Sequence, residues 1–555
     1  MLGLIASGVT FVAPALGQQS PSPSPPASPP ATTSPGASAT PVTSPGASPS
    51  PGVSPSPSVS PSASPTPTPT PPPITVQPEG AQVAVGSQQQ ITVGGALGAI
   101  TAVAHDPQFV DVSINQDTRV LTLSGKAPGA TVVTVTDSRG ISKDVPVRVA
   151  FNAGSIASNI TVRITGDPAS ATFIRSQVAL AVRHAAQSRP NAQIVVGSDD
   201  VPVHNRLDQD NVTAVDVPVL IQGEEYFSVS GNTRVQIENV AAPRISPQSL
   251  MVSDYPEKLT ENGILFTADL DRELPSRFLY FHYNPPGQPD RRIVLVAENS
   301  SNEPAMVQFI SGRGGPSGNE MAVGHDATKE FLVNVIQNQG QLITIPGSTQ
   351  MPIAQQDLPA GSIAANLLQL RVLSGGNIHL TLVSQNTTDD PNDALTTGKL
   401  LMSTVRHARG IYTIPEFHYA TQWDVTGEYL ELPIGQIPLP NTLKGEALAG
   451  DYGVLQSFVV NIQNPLSTPQ PIAIYENPRG GRTTGTYLID GVLIQSHQVP
   501  PFSRYKLRQY VVPAKGFVRV TIVTMPEAGS SYPLHLIFAP DDGSVAPGAP
   551  GSPIY

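Results

Sequence analysis

No cysteine occurs in the 555 residues. That excludes disulfides, thiolate zinc sites, a cysteine nucleophile and a lipid-modified cysteine at an export signal. Charge is scarce as well: charged residues make up 13% of the chain, and Glu79 is the first ionisable side chain. With a net charge of −11 and no basic cluster, the chain lacks the Lys and Arg that displace counterions, so nucleic acid is excluded as a partner. Trp423 is the single tryptophan. No apolar run reaches the ~20 residues of a membrane span. There is no G-x-S-x-G elbow for a hydrolase triad, and Gly166 alone makes no phosphate loop.

What the N-terminal stretch does contain is an apolar run, Leu2–Leu16, followed by Ser20–Pro73 with 20 prolines in 54 residues. Residues 1–17 read as a signal-peptide-like segment, with Ala15 and Gly17 preceding a cut before Gln18. Its basic n-region is missing, and an uncleaved anchor is the alternative, although Pro14 interrupts it and the run is short for a span. The membrane is expected as a partner only through that segment, if retained. Residues 18–73 cannot bury enough apolar surface to offset chain entropy, so they read as a disordered linker of polyproline II character. Extended at ~3.1 Å per residue, the tract would reach ~170 Å.

The folded part reads as mainly β and multidomain: tandem β-sandwiches, one small α/β domain, and the disordered Pro/Ser-rich linker before them. Over 74–150, short runs such as Gln90–Val93, Val120–Leu123 and Thr131–Thr136 alternate between turn signals, which predicts a small sandwich. Three segments there, Val85–Ser87, Asp106–Val112 and Leu123–Asp137 with its Gly125-x-x-x-Gly129-x-Thr131 spacing, resemble the N-terminal domain of bacterial pilus-formation and secretin-associated proteins. They also resemble bacterial immunoglobulin-like domains. The resemblance implies an immunoglobulin-like fold and contact with pilus or secretion machinery; the secretin barrel has no counterpart in the rest of the chain.

Residues 158–245 predict the α/β domain. Strands at Ile160–Ile164, Gln193–Val196, Val215–Ile221 and Arg234–Ile237 surround one helix, capped by Asp167 with Pro168 first and ending near Ser188. Two β-sandwiches are expected at 264–385 and 427–540, joined by a connector over 386–426 and followed by a disordered tail, 541–555. They share a sequence pattern. Arg292–Asn299, Pro304, Val307–Ile310 and Arg313-Gly314-Gly315 run parallel to Phe458–Asn464, Pro469, Ile472–Tyr475 and Arg479-Gly480-Gly481. The ~165-residue offset reads as duplication, since solenoid periods are ~20–50.

Few residues invite chemistry. His407 and His418 lie eleven apart, and a straight strand would hold them ~35 Å apart, too far for one metal. His282 sits among Phe278, Tyr280, Phe281 and Tyr283 as an aromatic strand's polar member. Asp389-Asp390-Pro391-Asn392-Asp393 offers hard oxygens for calcium but lacks the spaced pattern of a calcium loop, and reads as a solvated acidic loop. Arg313 and Arg479 are candidate partner-binding residues, able to fork onto a carboxylate or phosphate; shared glycine turns with solvated arginines are the plainer reading. Trp423 is the third candidate, as a sugar-stacking platform with Tyr412, Phe417 and Tyr419 or, more simply, as packing between the two sandwiches.

No catalytic, cofactor-binding or metal-binding residue is assigned, and no cofactor is expected. The chain reads as an exported envelope or surface protein (periplasm, cell surface or extracellular) with a structural, adhesive or pilus-associated role, and not as an enzyme. Its expected partner is an envelope or surface protein or a cell-wall glycan. The alternative is a carbohydrate-binding protein or a glycan-active enzyme with carboxylates converging only in the fold. The non-catalytic expectation rests on the last two sandwiches having aliphatic interiors.

Overall fold

Alternation builds the first module. In Gly129–Asp137 and Val120–Gly125 every second side chain is buried, which is what a strand with one wet face requires. Two four-stranded sheets result, covering residues 75–150. Val83, Ile91, Leu121, Leu123, Val133 and Val145 fill the space between them, each contributing about 1.5–3 kcal/mol of burial. The computed structural model describes residues 72–544 apart from 273, 391–394, 396–397 and 442–446. The signal-like segment, almost all of the linker and most of the tail therefore lie outside the described residues.

The next segment carries the four expected strands and helix α1, Ala171–Ala185. The cap is Ser170, whose side chain accepts from the Phe173 N–H, and not Asp167. Asp167 and Pro168 fall outside the helix because Ala169 is still extended, exchanging backbone hydrogen bonds with Leu207. This segment is not a separate sheet. Its strand Asn159–Thr165 pairs antiparallel with Gly340–Ile345, so one ten-stranded sheet runs from Gln193–Val195 to Arg409–Tyr412.

Two sandwich bodies follow. The first contains β1 (Ser249–Ser253), β2 (Gly263–Leu270), β3 (Ser276–Asn284), β4 (Arg291–Asn299), β5 (Ala305–Ser317), helix α2 (Glu320–Ile336), β6 (Gly340–Ile345), β7 (Thr349–Leu358), β8 (Ser362–Ser374) and β9 (Ile378–Asn386). The second contains β10 (Glu416–Asp424), β11 (Leu430–Ile434), β12 (Leu455–Gln463), β13 (Gln470–Pro478), β14 (Thr483–Ile489), β15 (Val492–Val499), β16 (Tyr505–Val512), β17 (Phe517–Thr524) and β18 (Leu534–Pro540).

Sheet order is the same in both: β2-β9-β4-β7 corresponds to β11-β18-β13-β16, and β1-β3-β8-β5-β6 to β10-β12-β17-β14-β15. Even the parallel pair recurs, β1 with β3 and β10 with β12. The second body thus begins at 416, inside the expected connector, and the first at 249. Asp541 and Ser544, expected in the tail, are held by the buried Lys506, whose ammonium bonds the Asp541 carboxylate and the Ser544 carbonyl.

The sequence parallel is one strand out of step. It sets β4 against β12, whereas position in the sheet sets β3 against β12. The cause is local: a strand-end asparagine closes several hairpins in the same way. Asn284 donates to Pro289 O and Leu358 O, Asn299 to Glu303 O and Ile345 O, and Asn464 to Thr468 O and Val512 O. Asn284 and Asn464 are the topological pair, since β7 and β16 end at Leu358 and Val512.

Helix α2 has no counterpart in the second body, where Asp490 and Gly491 alone join β14 to β15. It was not expected from sequence. Asn319 caps it by accepting from the Ala322 N–H, and Val323, Ala327, Phe331 and Leu332 form its buried stripe. That stripe lies on β5 because Gly312 and Gly314 present no side chain. A Cβ at Gly314 would stand 1.8 Å from Val323 O, and one at Gly312 2.2 Å from Phe331 N. The first Arg-Gly-Gly is therefore a notch in a strand that receives a helix. The second, Arg479-Gly480-Gly481, is an exposed bend after β13.

Candidate functional site

The groove that contains Arg313 forms where β6 stops. β6 pairs with β5 only as far as Phe309, so the outer edge of β5 is free beyond that point. Helix α2 caps part of this edge: Glu330 Oε2 accepts from the Arg313 N–H at 2.8 Å, and Asn334 Nδ2 donates to Ser311 O at 2.9 Å. The remainder opens into a groove of about 580 Å³ between α1 and β7, floored by Phe309, Ser311 and Ile343. Its titratable groups are Arg183, His184, Arg313 and Glu330.

Arg183 is already engaged, its Nε donating to Val196 O at 2.8 Å. The half-buried Arg313 guanidinium has no hydrogen-bond partner among the described residues. Its field reaches the titratable groups of both helices. Burial holds the His184 imidazole below its ordinary value, with the Arg313 and Arg183 charges adding to that. Burial pushes Glu330 up, against the Arg313 N–H and charge. The arrangement suits an anionic group entering over the Phe309 and Ile343 side chains.

The other two candidates are spoken for. Arg479 is exposed and pairs with Glu431 at 3.3 Å, while His535 Nδ1 faces the other Glu431 oxygen at 2.9 Å. Trp423 is only 7% exposed. Its Nε1 donates to Glu428 O and its ring packs on Phe538 within the second body, so it offers no face to a sugar. His407 lies between Asp254 and Glu257, His418 beside Glu416, and His282 is buried between Ser253 Oγ and Pro256 O. Asp389 accepts from Asn262, and 391–393 lie outside the described residues. Among the described residues no three His, Asp or Glu side chains stand close enough to hold a metal ion.

A second polar site lies where the bodies meet, and it corrects the expectation of purely aliphatic interiors. Leu279, Ile310, Val323 and Phe331 of the first body share one core with Leu455, Met525 and Ala528 of the second. Inside this joint His325 of α2 is 4% exposed. Its Nδ1 faces Glu527 Oε2 at 3.0 Å and its Nε2 faces Gln495 Oε1 at 3.1 Å. Thr484 and Thr486 hydroxyls also donate to Glu527. Thr483 donates to a second carboxylate, Glu476, which burial pushes up. Both carboxylates are 0% exposed and so closed to any polymer.

No family model and no curated protein matches the chain. Among solved structures, domains 4 and 5 of the S-layer protein SbsC match at 24% identity over 14% of this chain and 50% of that one, TM-score 0.13. Drosophila N-cadherin EC1-4 matches at 16% identity over 30% and 50%, TM-score 0.12. The Bacteroides ovatus mixed-linkage glucan utilization locus protein SGBP-B, in complex with a mixed-linkage heptasaccharide, matches at 8% over 55% and 71%, TM-score 0.13. The chain spans half of the SbsC fragment it matches. Likeness this weak identifies nothing. No helix among the described residues is long and apolar enough to cross a membrane.

The joint has a pH signature. Both His325 nitrogens face oxygen acceptors, so the site fits imidazolium. Burial pushes His325 down, but the Glu527 hydrogen bond and charge, with Gln495, outweigh it and the net shift is upward; Lys329 opposes. The neighbouring His497 is lowered by burial and by His325. A folded-state pKa above the unfolded ~6.5 stabilises fully below that pH, and the contribution fades as pH rises through the folded value. Thermal unfolding of the wild type is expected to show this decline on the alkaline side. In His325→Gln the decline should be lost, whereas an unchanged slope would exclude the pair as its source.

None of Arg277, His325, Glu476 and Glu527 stood out in the sequence. His325 and Glu527 are 202 residues apart, and no local spacing announces them. The one available signal was a charge within an otherwise apolar strand, as at Arg277 and Glu476.

Proposed function

We propose that this chain is an exported envelope or surface protein that acts by binding, with no covalent chemistry, and that the Arg313 groove receives a carboxylate side chain of a partner envelope protein. The observation that carries the reading is a half-buried guanidinium in an open groove, without a hydrogen-bond partner among the described residues. The uncharged, proline-rich tract ahead of the folded unit supports export and display at a distance. The sealed state of Glu476 and Glu527 argues against a glycosidase centre, and the burial of Trp423 against sugar stacking. The module over 74–150, through its resemblance to pilus-formation domains, supplies a second contact with a pilus or secretion machine.

The test is capture of envelope proteins by the full chain and by Arg313→Ala. A charge-assisted hydrogen bond contributes about 1.5–3 kcal/mol, so the variant is expected to bind its partner roughly ten- to a hundredfold more weakly. Equal capture by both proteins removes the groove from the reading.

A further inference from the structure

Each body has an edge strand lying parallel to its neighbour, and among the described residues only one of the two edges is covered. In the first body β1 is closed on its outer side by Arg409–Tyr412, antiparallel, from Leu250 opposite Tyr412 to Ser253 opposite Arg409. In the second body the equivalent strand is β10, which ends its sheet and pairs only with β12 among the described residues. β10 is nine residues long and contains neither proline nor lysine, the residues that usually blunt an edge. On the face where Trp423 is buried, Phe417 is 36% and Tyr419 50% exposed. Aromatic rings on the core side of an edge strand, still wet, await a neighbour.

We infer that β10 pairs antiparallel with β10 of a second copy of this chain, extending one five-stranded sheet into ten strands across a two-fold axis. The sequence Glu-Phe-His-Tyr-Ala-Thr-Gln-Trp-Asp selects the register. Centred on Thr421, the pairing sets His418 opposite Asp424 and Tyr419 opposite Trp423 of the second copy, and symmetry repeats each contact. Centred on Ala420, it would set Glu416 against Asp424 at both ends, and directly opposed like charges are destabilising. Centred on Tyr419, it forfeits both His–Asp pairs. An acid opposite an imidazole at each end, aromatics inside and Thr421 on the axis make the strand complementary to itself, which a binding edge for an unrelated strand would not need. In the first body the connector to the next body fills this place.

A cysteine-free chain makes the test direct. In the full chain, Thr421→Cys brings the two thiols opposite each other across the axis, with Cβ atoms about 4.5–5.5 Å apart, at the edge of disulfide reach. Mild oxidation is expected to give a covalent dimer of twice the chain mass. His418→Cys, whose copies would be several residues apart along the pair, should give none. By light scattering the wild type should be dimeric and Tyr419→Lys, at an already exposed position, a folded monomer. A monomeric wild type, a dimer untouched by Tyr419→Lys, or equal cross-linking at 418 and 421 would each overturn the assignment, the second by placing the dimer contact elsewhere.

Discussion

Arg277→Ala is expected to separate the two bodies thermally, splitting their unfolding into two transitions and lowering the midpoint of the second. The guanidinium is 0% exposed and comes from β3 of the first body. Nη1 donates to Pro415 O at 2.7 Å and Gly453 O at 3.2 Å, and Nη2 meets Glu416 Oε1 at 2.9 Å, all from the second body's side of the joint. Phe331 of α2 lies under it, 5.5 Å from ring centre to Cζ. Burial lowers the arginine's pKa and Glu416 opposes that shift. Removing one member of a buried pair costs about 3–5 kcal/mol, because the other charge and the carbonyls stay behind unsatisfied. Replacing Glu416 by Gln keeps a carbonyl acceptor and should cost less. Denaturant unfolding of the two single variants and the double variant measures the coupling; additivity would mean that the pair does not tie the bodies together.

Gly324→Ala should destabilise even though alanine favours an isolated helix by about 1 kcal/mol over glycine. A Cβ at Gly324 would stand 1.6 Å from Ala528 O. That oxygen is backbone, so no rotamer change relieves the overlap. Helix α2 must move off the second body, and His325, the next residue, moves with it away from Glu527. A loss at or beyond the upper end of the about 1–3 kcal/mol typical of overpacking is expected, with the pH dependence of the joint weakened in parallel. Gly231→Ala is the control, since its Cβ would meet only Ile156 Cδ1 at an ordinary 3.5 Å. If both variants melt together with the wild type, the contact between α2 and Ala528 is not the hinge of this joint.

The elements legible from sequence are those whose signal is local. Thr131–Thr136 and Arg234–Ile237 alternate because a half-buried strand must, and α1 carries its own apolar stripe. Helix α2 escaped because Gly324, His325, Asp326 and Thr328 dilute its helical signal; Gly324 and His325 serve the joint, against Ala528 and Glu527. The Asn299 and Asn464 resemblance was real chemistry, a strand-end amide closing a hairpin, but the same device recurs at Asn284 and so cannot define the strand register. Arg313 and Arg479 looked equivalent through their glycines. In the fold Gly312 and Gly314, on either side of Arg313, admit a helix, whereas Gly480 and Gly481 turn an exposed bend.

The sequence by itself determined that the chain is cysteine-free, poor in charge and built mainly of strands, with a proline-rich tract leading into them, because composition and period-two alternation are properties of neighbours along the chain. Only the tertiary structure decided that one sheet spans the α/β segment and the first body, that a buried charged joint welds the two bodies together, and that no strand among the described residues covers β10. The first two depend on contacts between residues more than a hundred positions apart, where the low dielectric of the interior, and not local propensity, sets which groups must find each other.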